Sequence, residues 1–279
     1  MSHQHKLEQH LHSLNDINEI MSAMKNLSLM EANKLARFIE NQKRVVNSIL
    51  SAAEDFLSFH PEFMQWPMSM QPVLVVIGTE RGFCGNYNEK LQQHVDSYLT
   101  ENPNTNPKII AVGYKLHDKL AHHAEVTECL YGPNVTEEVN HVIEQLISTV
   151  KNYEQKGISI QLLVMHNENG KDNPVTTHIL PAFQQTTQQN IHHNTPAQQN
   201  LSNSHLFSDL VDEYVFAALN DIFYDALMTE NQRRVQHLES AVHQLSEKIN
   251  ALSLKRNEIR QEEITEEIEV IMLSANILE

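Results

Sequence analysis

The segment Gly78-Thr-Glu-Arg-Gly82-Phe-Cys-Gly85 comes nearest to a chemical site in this chain of 279 residues. It follows an apolar run and opens a helical pattern, which is where backbone N–H groups could cradle a phosphate. Its glycines lack the Walker spacing, which ends in Gly-Lys-Ser/Thr, and they lack the dinucleotide spacing as well. Glu80 would also repel phosphate. The segment is therefore expected to be a structural strand-to-helix turn, with no cofactor. Cys84 lies close to Arg81, which could lower a thiol pKa. No base is identifiable nearby in sequence, so a packed cysteine is expected rather than a nucleophile.

Other candidate groups point the same way. The seventeen histidines are densest at His3 and His5, His10 and His12, His122-His123 and His192-His193. None combines with Cys or carboxylates at a zinc-ligand spacing, so no metal is expected. Glu262-Glu263 and Glu266-Glu267 could suggest acid–base work, but they sit in a helical pattern crowded with like charge. A solvated or partner-facing stripe is the expectation, and no catalytic residue is assigned.

The elements that must position these residues are mostly helical. From about Leu206 to Glu279 there is no Pro or Gly. A single helix of that length would run on the order of 100 Å, too long for a domain of this size to bury. Val242, Leu245, Ile249, Leu252 and Ile259 form one stripe, with Arg256 in the gap. Ile264, Ile268, Ile271, Ala275 and Leu278 form a second, offset by one position near Glu263, as at a phase change in a coiled-coil seam. At the other end, Leu7, Leu11, Leu14, Ile17, Met21, Met24, Leu27, Leu35 and Phe38 begin a helix that reaches Phe59. Two such helices pair most simply as an antiparallel coiled coil.

His60 to Pro72, with three prolines, breaks the pattern. The middle then alternates strands and helices. Strands are expected at Val73–Ile77, Lys108–Val112, Val126–Leu130 and Ile158–Met165. Helices are expected at Asn88–Leu99, Tyr114–His123 and Thr136–Tyr153, the last with Thr136 as N-cap. Gln184–His205 reads as a polar loop. The domains expected are 1–60, 61–205 and 206–279.

The formal net charge of −16 argues against nucleic acid and against adsorption to anionic lipid. From Asn257 onward there are seven Glu and one Arg, which fits either a solvated face or a basic partner. Cys84 and Cys129 alone give no disulfide framework and fit a reducing cytoplasm. No apolar run of about 18 residues is present, so no membrane insertion is expected. The N-terminus does not read as a signal peptide.

Three blocks resemble the gamma subunit of F-type ATP synthases, the F1 central stalk. Asn257-Glu-Ile-Arg260-Gln261-Glu-Glu-Ile264-Thr265-Glu-Glu267-Ile268 is similar to the signature Asn-x-x-Arg-Gln-x-x-Ile-Thr-x-Glu-Leu/Ile. Upstream, Glu230 and Arg234 fall where the family has Glu and Arg in Ser-Glu-x-x-x-Arg-Met, with Val235 in place of the Met. Val75-Val-Ile-Gly-Thr-Glu-Arg81-Gly82-Phe-Cys84-Gly85-Asn-Tyr-Asn88 resembles the strand and turn of that family. Ala23-Met24, with Ile20 and Leu27, resembles its N-terminal helix. The chain departs from the pattern at Asn86, which replaces a glycine. It also carries Glu8, His10, Glu19, Ser22 and Glu31 on a helix that is Lys- and Arg-rich in the family. A divergent or alternative form is implied.

The resemblance implies an antiparallel coiled coil of long N- and C-terminal helices with a small Rossmann-like α/β domain inserted between them. It implies a non-catalytic rotor that couples ion flow to ATP synthesis or hydrolysis. The implied partners are the alpha and beta subunits, the epsilon subunit and the membrane c-ring, and the implied place is the cytoplasmic face of the inner membrane. Met24, Arg234, Gln261, Thr265 and Glu267 are the implied subunit contacts. Arg81, Gly82, Cys84 and Gly85 are the implied shaping residues of the turn. A coiled-coil scaffold unrelated to ATPases and a small α/β enzyme with helical extensions are the rival readings.

Overall fold

A computed structural model describes residues 3–67, 70–154, 159–171, 173–184 and 198–276. The elements, in order, are α1 (His3–Phe59), a short 3-10 turn (Pro61–Met64), β1 (Gln71–Ile77), α2 (Tyr87–Glu101), β2 (Lys108–Val112), α3 (Tyr114–Leu120), β3 (Val126–Leu130), α4 (Val139–Glu154), β4 (Ile160–Asn167), β5 (Pro174–Leu180) and α5 (Asn203–Asn276). The described residues fall into two compact units. One holds residues 29–234; the other holds the N-terminal residues up to 28 and those from 235 onward.

In the unit of residues 29–234 the sheet order is β3-β2-β1-β4-β5. All neighbours are parallel except β4 and β5. Alternation of side chains along the central strands splits the core in two. Val73, Val75 and Ile77 face α4, the α5 residues Leu219, Phe223 and Ala226, and Leu35 of α1. Leu74 and Val76 face Leu91 and Val95 of α2 and Leu116 and Leu120 of α3. Covering both faces explains why β1 and β2 read as unbroken apolar runs. Each such side chain, fully buried, stabilises the fold by about 1.5–3 kcal/mol.

α1 and α5 run antiparallel here, since positions that rise on one fall on the other. The rings of Phe38 and Tyr224 lie 6.2 Å apart, Gln42 Nε2 donates to the Ala217 carbonyl at 3.0 Å, and Phe56 and Phe207 lie 6.1 Å apart. Ala53, Phe56 and Leu57 form a further apolar cluster with Ala182 and Phe183.

The second unit holds the other ends of both helices. Leu11 and Leu14 of α1 and Leu238 of α5 are buried. On α5 the half-buried positions continue at Val242, Leu245, Ile249, Leu252, Arg256, Ile259 and Glu263. These form two interleaved sets with a seven-residue repeat, the pattern of a supercoiled seam.

The structure corrects the sequence reading in four places. The stripe after Glu263 does not continue the seam: Ile264, Ile268 and Ile271 are 47, 52 and 65% exposed. From Ile264 to Leu273 every α5 residue is exposed. The side chains of Ala275 and Leu278 lie outside the described ones. Thr136 is not an N-cap; it opens a 3-10 turn, Thr136–Glu138, whose preceding residue is Val135. Strand β5 was not expected; its proline start and half-exposed Thr176 and Thr177 hide it, as befits an antiparallel edge. Residues Asn203–His205 of the expected loop already belong to α5, while 185–197 lie outside the described residues. Among the described residues no helix is long and apolar enough to cross a membrane.

Candidate functional site

The turn after β1 is tied down by its own side chains. A Cβ at Gly78 would lie 2.4 Å from Leu116 Cβ, so only glycine lets α3 pack here. Asn88 Oδ1 accepts the Thr79 N–H at 3.0 Å, and its Nδ2 donates to Thr79 Oγ1 at 2.8 Å. Glu80 Oε2 accepts the N–H of Tyr114 at 2.9 Å and that of Gly132 at 2.8 Å. These donors lie beyond the carboxyl ends of β2 and β3, where open α/β sheets commonly receive ligands. Here the chain's own carboxylate engages them.

Gly85 has φ 60°, and so does Phe83 within a few degrees, at 65°. Arg81, Gly82 and Phe83 are exposed, while Cys84 is buried. The Cys84 thiol donates to the Gly82 carbonyl at 3.4 Å. Burial, and then the Glu230 carboxylate, push this thiol up to about 12, against the opposing pull of Arg234. It stays protonated at neutral pH, and nucleophilic chemistry needs the thiolate.

α5 supplies the other half of the site. Glu230, Asn231 and Arg234 are 5, 2 and 6% exposed. The Arg234 guanidinium pairs with the Glu230 carboxylate, donates to Asn231 Oδ1 at 3.2 Å, and reaches across to the Gly82 carbonyl at 3.2 Å. Glu230 and Arg234 are one helical turn apart, the spacing at which Glu and Arg meet. Burial pushes the Glu230 carboxyl up to about 7, while Arg234 pulls it down. One turn earlier, the Tyr87 hydroxyl donates to the Ala226 carbonyl at 3.3 Å. Burial raises that phenol well above its ordinary value. The arrangement is suited to holding two elements together rather than to reacting.

The structure thus brings Arg234 together with Gly82 and Cys84. Arg234 was expected to reach outward, yet its side chain is buried within the chain. Met24 is half-buried on α1, and Gln261, Thr265 and Glu267 are exposed on α5. Thr265 Oγ1 donates back to the Gln261 carbonyl at 2.9 Å. Gln261 and Thr265 share a face, whereas Glu267 projects from nearly the opposite side at about 100° per residue. Sequence reasoning missed Tyr87 and Asn231. Neither stands in a pattern that signals a polar partner; the Glu230–Arg234 spacing was the only readable cue. Among the described residues no three His, Cys, Asp or Glu side chains gather as a metal site; His192-His193 lies outside the described residues.

With this geometry in hand, known proteins give a consistent picture. A family model described as ATP synthase matches residues 3–278. The ATP synthase gamma chain of Rickettsia prowazekii is 25% identical over 293 residues, covering 99% of each chain. That of Fusobacterium nucleatum is 22% identical over 289 residues, covering 98% of each. Among solved structures, a chain of the rotor of the Euglena gracilis mitochondrial ATP synthase superposes with a TM-score of 0.61 at 13% identity, covering 94% of this chain and 98% of that one. A chain from the central stalk and c-ring of the Tetrahymena thermophila enzyme gives 0.56 at 15%, covering 80% and 99%. At these identities the structural likeness speaks for the fold alone.

Proposed function

Since this chain belongs to the ATP synthase family, as a gamma chain of the central stalk, we propose that its two long helices are the rotor shaft and that α5 carries the contacts to the catalytic ring. The observation that carries this reading is the exposed end of α5. Ile264, Ile268, Ile271 and Met272, which share one helix face at about 100° per residue, are 47, 52, 65 and 63% exposed. An apolar face of this extent on a soluble helix marks a surface made for a partner.

In this reading the chain is a non-catalytic subunit. Alpha and beta subunits surround the shaft, the epsilon subunit and the c-ring join it at the other end, and the assembly sits as a peripheral F1 sector on the cytoplasmic face of the inner membrane. Residues 1–60 and 206–279 act as the shaft, and 61–205 as the inserted α/β domain. Met24, Gln261, Thr265 and Glu267 touch the catalytic ring. Because the shaft is asymmetric, each catalytic site meets a different face and acquires a different nucleotide affinity. The shift any site undergoes equals the difference in contact energy between those faces. Rotation exchanges the faces, so ion flow drives product release and ATP hydrolysis drives ions back.

The alternative of an unrelated coiled-coil scaffold finds no support among the relatives. Purification of the tagged full-length chain from its own cells tests the proposal. Alpha and beta subunits are expected to come with it in a complex with ATPase activity. Purification without them, or tight nucleotide binding by the chain alone, would overturn the reading.

A further inference from the structure

Between α1, the end of β5 and α5 lies a cavity of about 280 Å³. Leu50 and Glu54, one helical turn apart on α1, form one wall. His178 of β5 and the turn after that strand, through Pro181, Phe183 and Gln184, form a second. Tyr214 of α5 forms a third. An apolar cavity of ~150 Å³ already accommodates benzene, so this one has room for a small organic molecule. All of it belongs to the unit of residues 29–234.

The polar groups of the lining are unengaged. Glu54 is half-buried beside the apolar cluster of Ala53, Phe56 and Phe183. Among the described residues, neither its carboxylate nor the Tyr214 hydroxyl has a hydrogen-bond or ion-pair partner. Burial raises the Tyr214 phenol above its ordinary value. A carboxylate drawn partly out of water is costly without a counter-charge, and a buried tyrosine hydroxyl usually finds a partner. No Lys or Arg among the described residues lines the cavity to supply one. The rings of Phe183 and Tyr214 lie 4.9 Å apart in its walls, and aromatic faces attract cations. The net charge of −16 raises the concentration of cations around the whole chain. A bare metal ion finds a single carboxylate here, and no three His, Cys, Asp or Glu side chains gather among the described residues. An ammonium, by contrast, is a pure donor that suits a carboxylate and a phenol oxygen together.

We propose that this cavity binds a short-chain primary alkylammonium ion. Its ammonium sits on Glu54 and Tyr214, and its hydrocarbon stem lies against Leu50, Pro181 and Phe183. The bound amine bridges α1 and α5 across the end of β5, so occupancy stabilises the folded chain as the amine concentration rises. The site is complete within this chain and does not depend on the central-stalk reading.

The probe is n-pentylammonium chloride, and pentan-1-ol, the same stem without the charge, is its control. Ligand-observed NMR titration of the full-length chain in dilute buffer is expected to show saturable binding of pentylammonium with a Kd of about 1 mM or tighter. Pentan-1-ol is expected to bind at least tenfold more weakly. Glu54→Gln keeps the shape and removes the charge, and is expected to weaken pentylammonium at least tenfold. Tyr214→Phe keeps the ring and removes the hydroxyl, and is expected to weaken it at least threefold. The thermal midpoint of the parent is expected to rise with pentylammonium and not with equimolar sodium chloride, and that rise is lost in Glu54→Gln, whose own midpoint without ligand reports that it folds. Absence of saturable binding, equal binding of the alcohol, or parental affinity in either variant overturns the proposal. Purification of the chain without alpha and beta subunits leaves these affinities unchanged, so the two readings fail separately.

Discussion

The Glu31 carboxylate on α1 accepts the backbone N–H of Thr136 at 2.6 Å, and the Thr136 hydroxyl donates to the same oxygen. The acceptor that starts the 3-10 turn before α4 therefore comes from a residue 105 positions away. By sequence, Glu31 counts among positions where the family carries basic side chains. In this fold it satisfies donors at a helix start, which are otherwise left unpaired. Glu31→Ala is expected to cost about 1–2 kcal/mol, as loss of an N-cap does. Glu31→Lys is expected to cost more, since it sets a cation against the positive end of a helix. Thermal unfolding of the isolated chain checks this. An Ala variant as stable as the parent would remove the capping role.

Two glycines of one turn are expected to behave differently. At Gly78 an added Cβ would also lie 2.8 Å from Asn88 Oδ1, besides the clash with Leu116. At Gly82 it would meet nothing within 4 Å. Gly78→Ala is expected to destabilise the chain by about 1–3 kcal/mol or more, the usual cost of overpacking. Gly82→Ala is expected to be neutral, or to gain up to about 1 kcal/mol by restricting the unfolded chain. Denaturant titration of the two variants side by side measures the contrast. Equal losses would mean that Gly82 is constrained in a way its surroundings do not reveal.

His166 gives the fold a pH dependence of definite sign. It is 4% exposed, and burial pushes its pKa down to about 4 from an ordinary 6.5. The folded chain refuses a proton that the unfolded chain accepts. Stability is therefore whole above pH 6.5 and is lost as pH falls towards 4, by up to about 3 kcal/mol. His166→Phe removes that titration. The difference in unfolding free energy between variant and parent is expected to shift in favour of the variant as pH drops from 7 to 4. A difference that stays flat over this range would refute the assignment.

Why some of this was readable in the sequence and some was not follows from the range of the interactions. Lys108–Val112 was expected as a strand and is β2, because a run buried on both faces announces itself locally. The seam through Val242, Leu245, Ile249 and Ile259 was equally legible, since one helix face repeats at a fixed spacing. A small sheet with helices on its faces, and the pairing of the two terminal helices, followed from those two patterns. The strand β5 alternates too weakly to announce itself. Glu31 with Thr136, and Arg234 with Gly82, are pairs that only the tertiary fold brings within reach. No local spacing distinguishes a buried Arg234 from an exposed Arg260. The motif match singled out Arg234 as an outward contact, whereas its side chain turns inward to the Gly82 carbonyl.

Gln261 and Thr265 provide a sharper test of the contact surface. Both are exposed, and exposed substitutions away from special features change stability by less than about 0.5 kcal/mol. Gln261→Leu and Thr265→Val are therefore expected to leave the unfolding of the isolated chain unchanged while lowering the ATPase activity of the assembled complex. Unchanged ATPase in membranes carrying either variant would count against the contact.

The acidic flank of the same helix adds a test that depends on salt. Glu258, Glu262, Glu266 and Glu269 are exposed and step by four, four and three residues, which sets them on one face. Among the described residues none of the four forms an ion pair. Like charges one turn apart destabilise an isolated helix by about 0.2–0.5 kcal/mol per pair. The isolated chain with all four changed to Gln is therefore expected to unfold at a slightly higher temperature in dilute buffer, with the gain vanishing near 1 M salt, where screening is nearly complete. If the stripe faces cations on the catalytic ring, the same variant is expected to bind alpha and beta subunits more weakly at low ionic strength and with a shallower dependence on salt. Titrating the binding against sodium chloride for parent and variant decides the matter. Parallel salt curves would mean that the stripe is solvated, and that the apolar flank at Ile264, Ile268 and Met272 makes the contact without it.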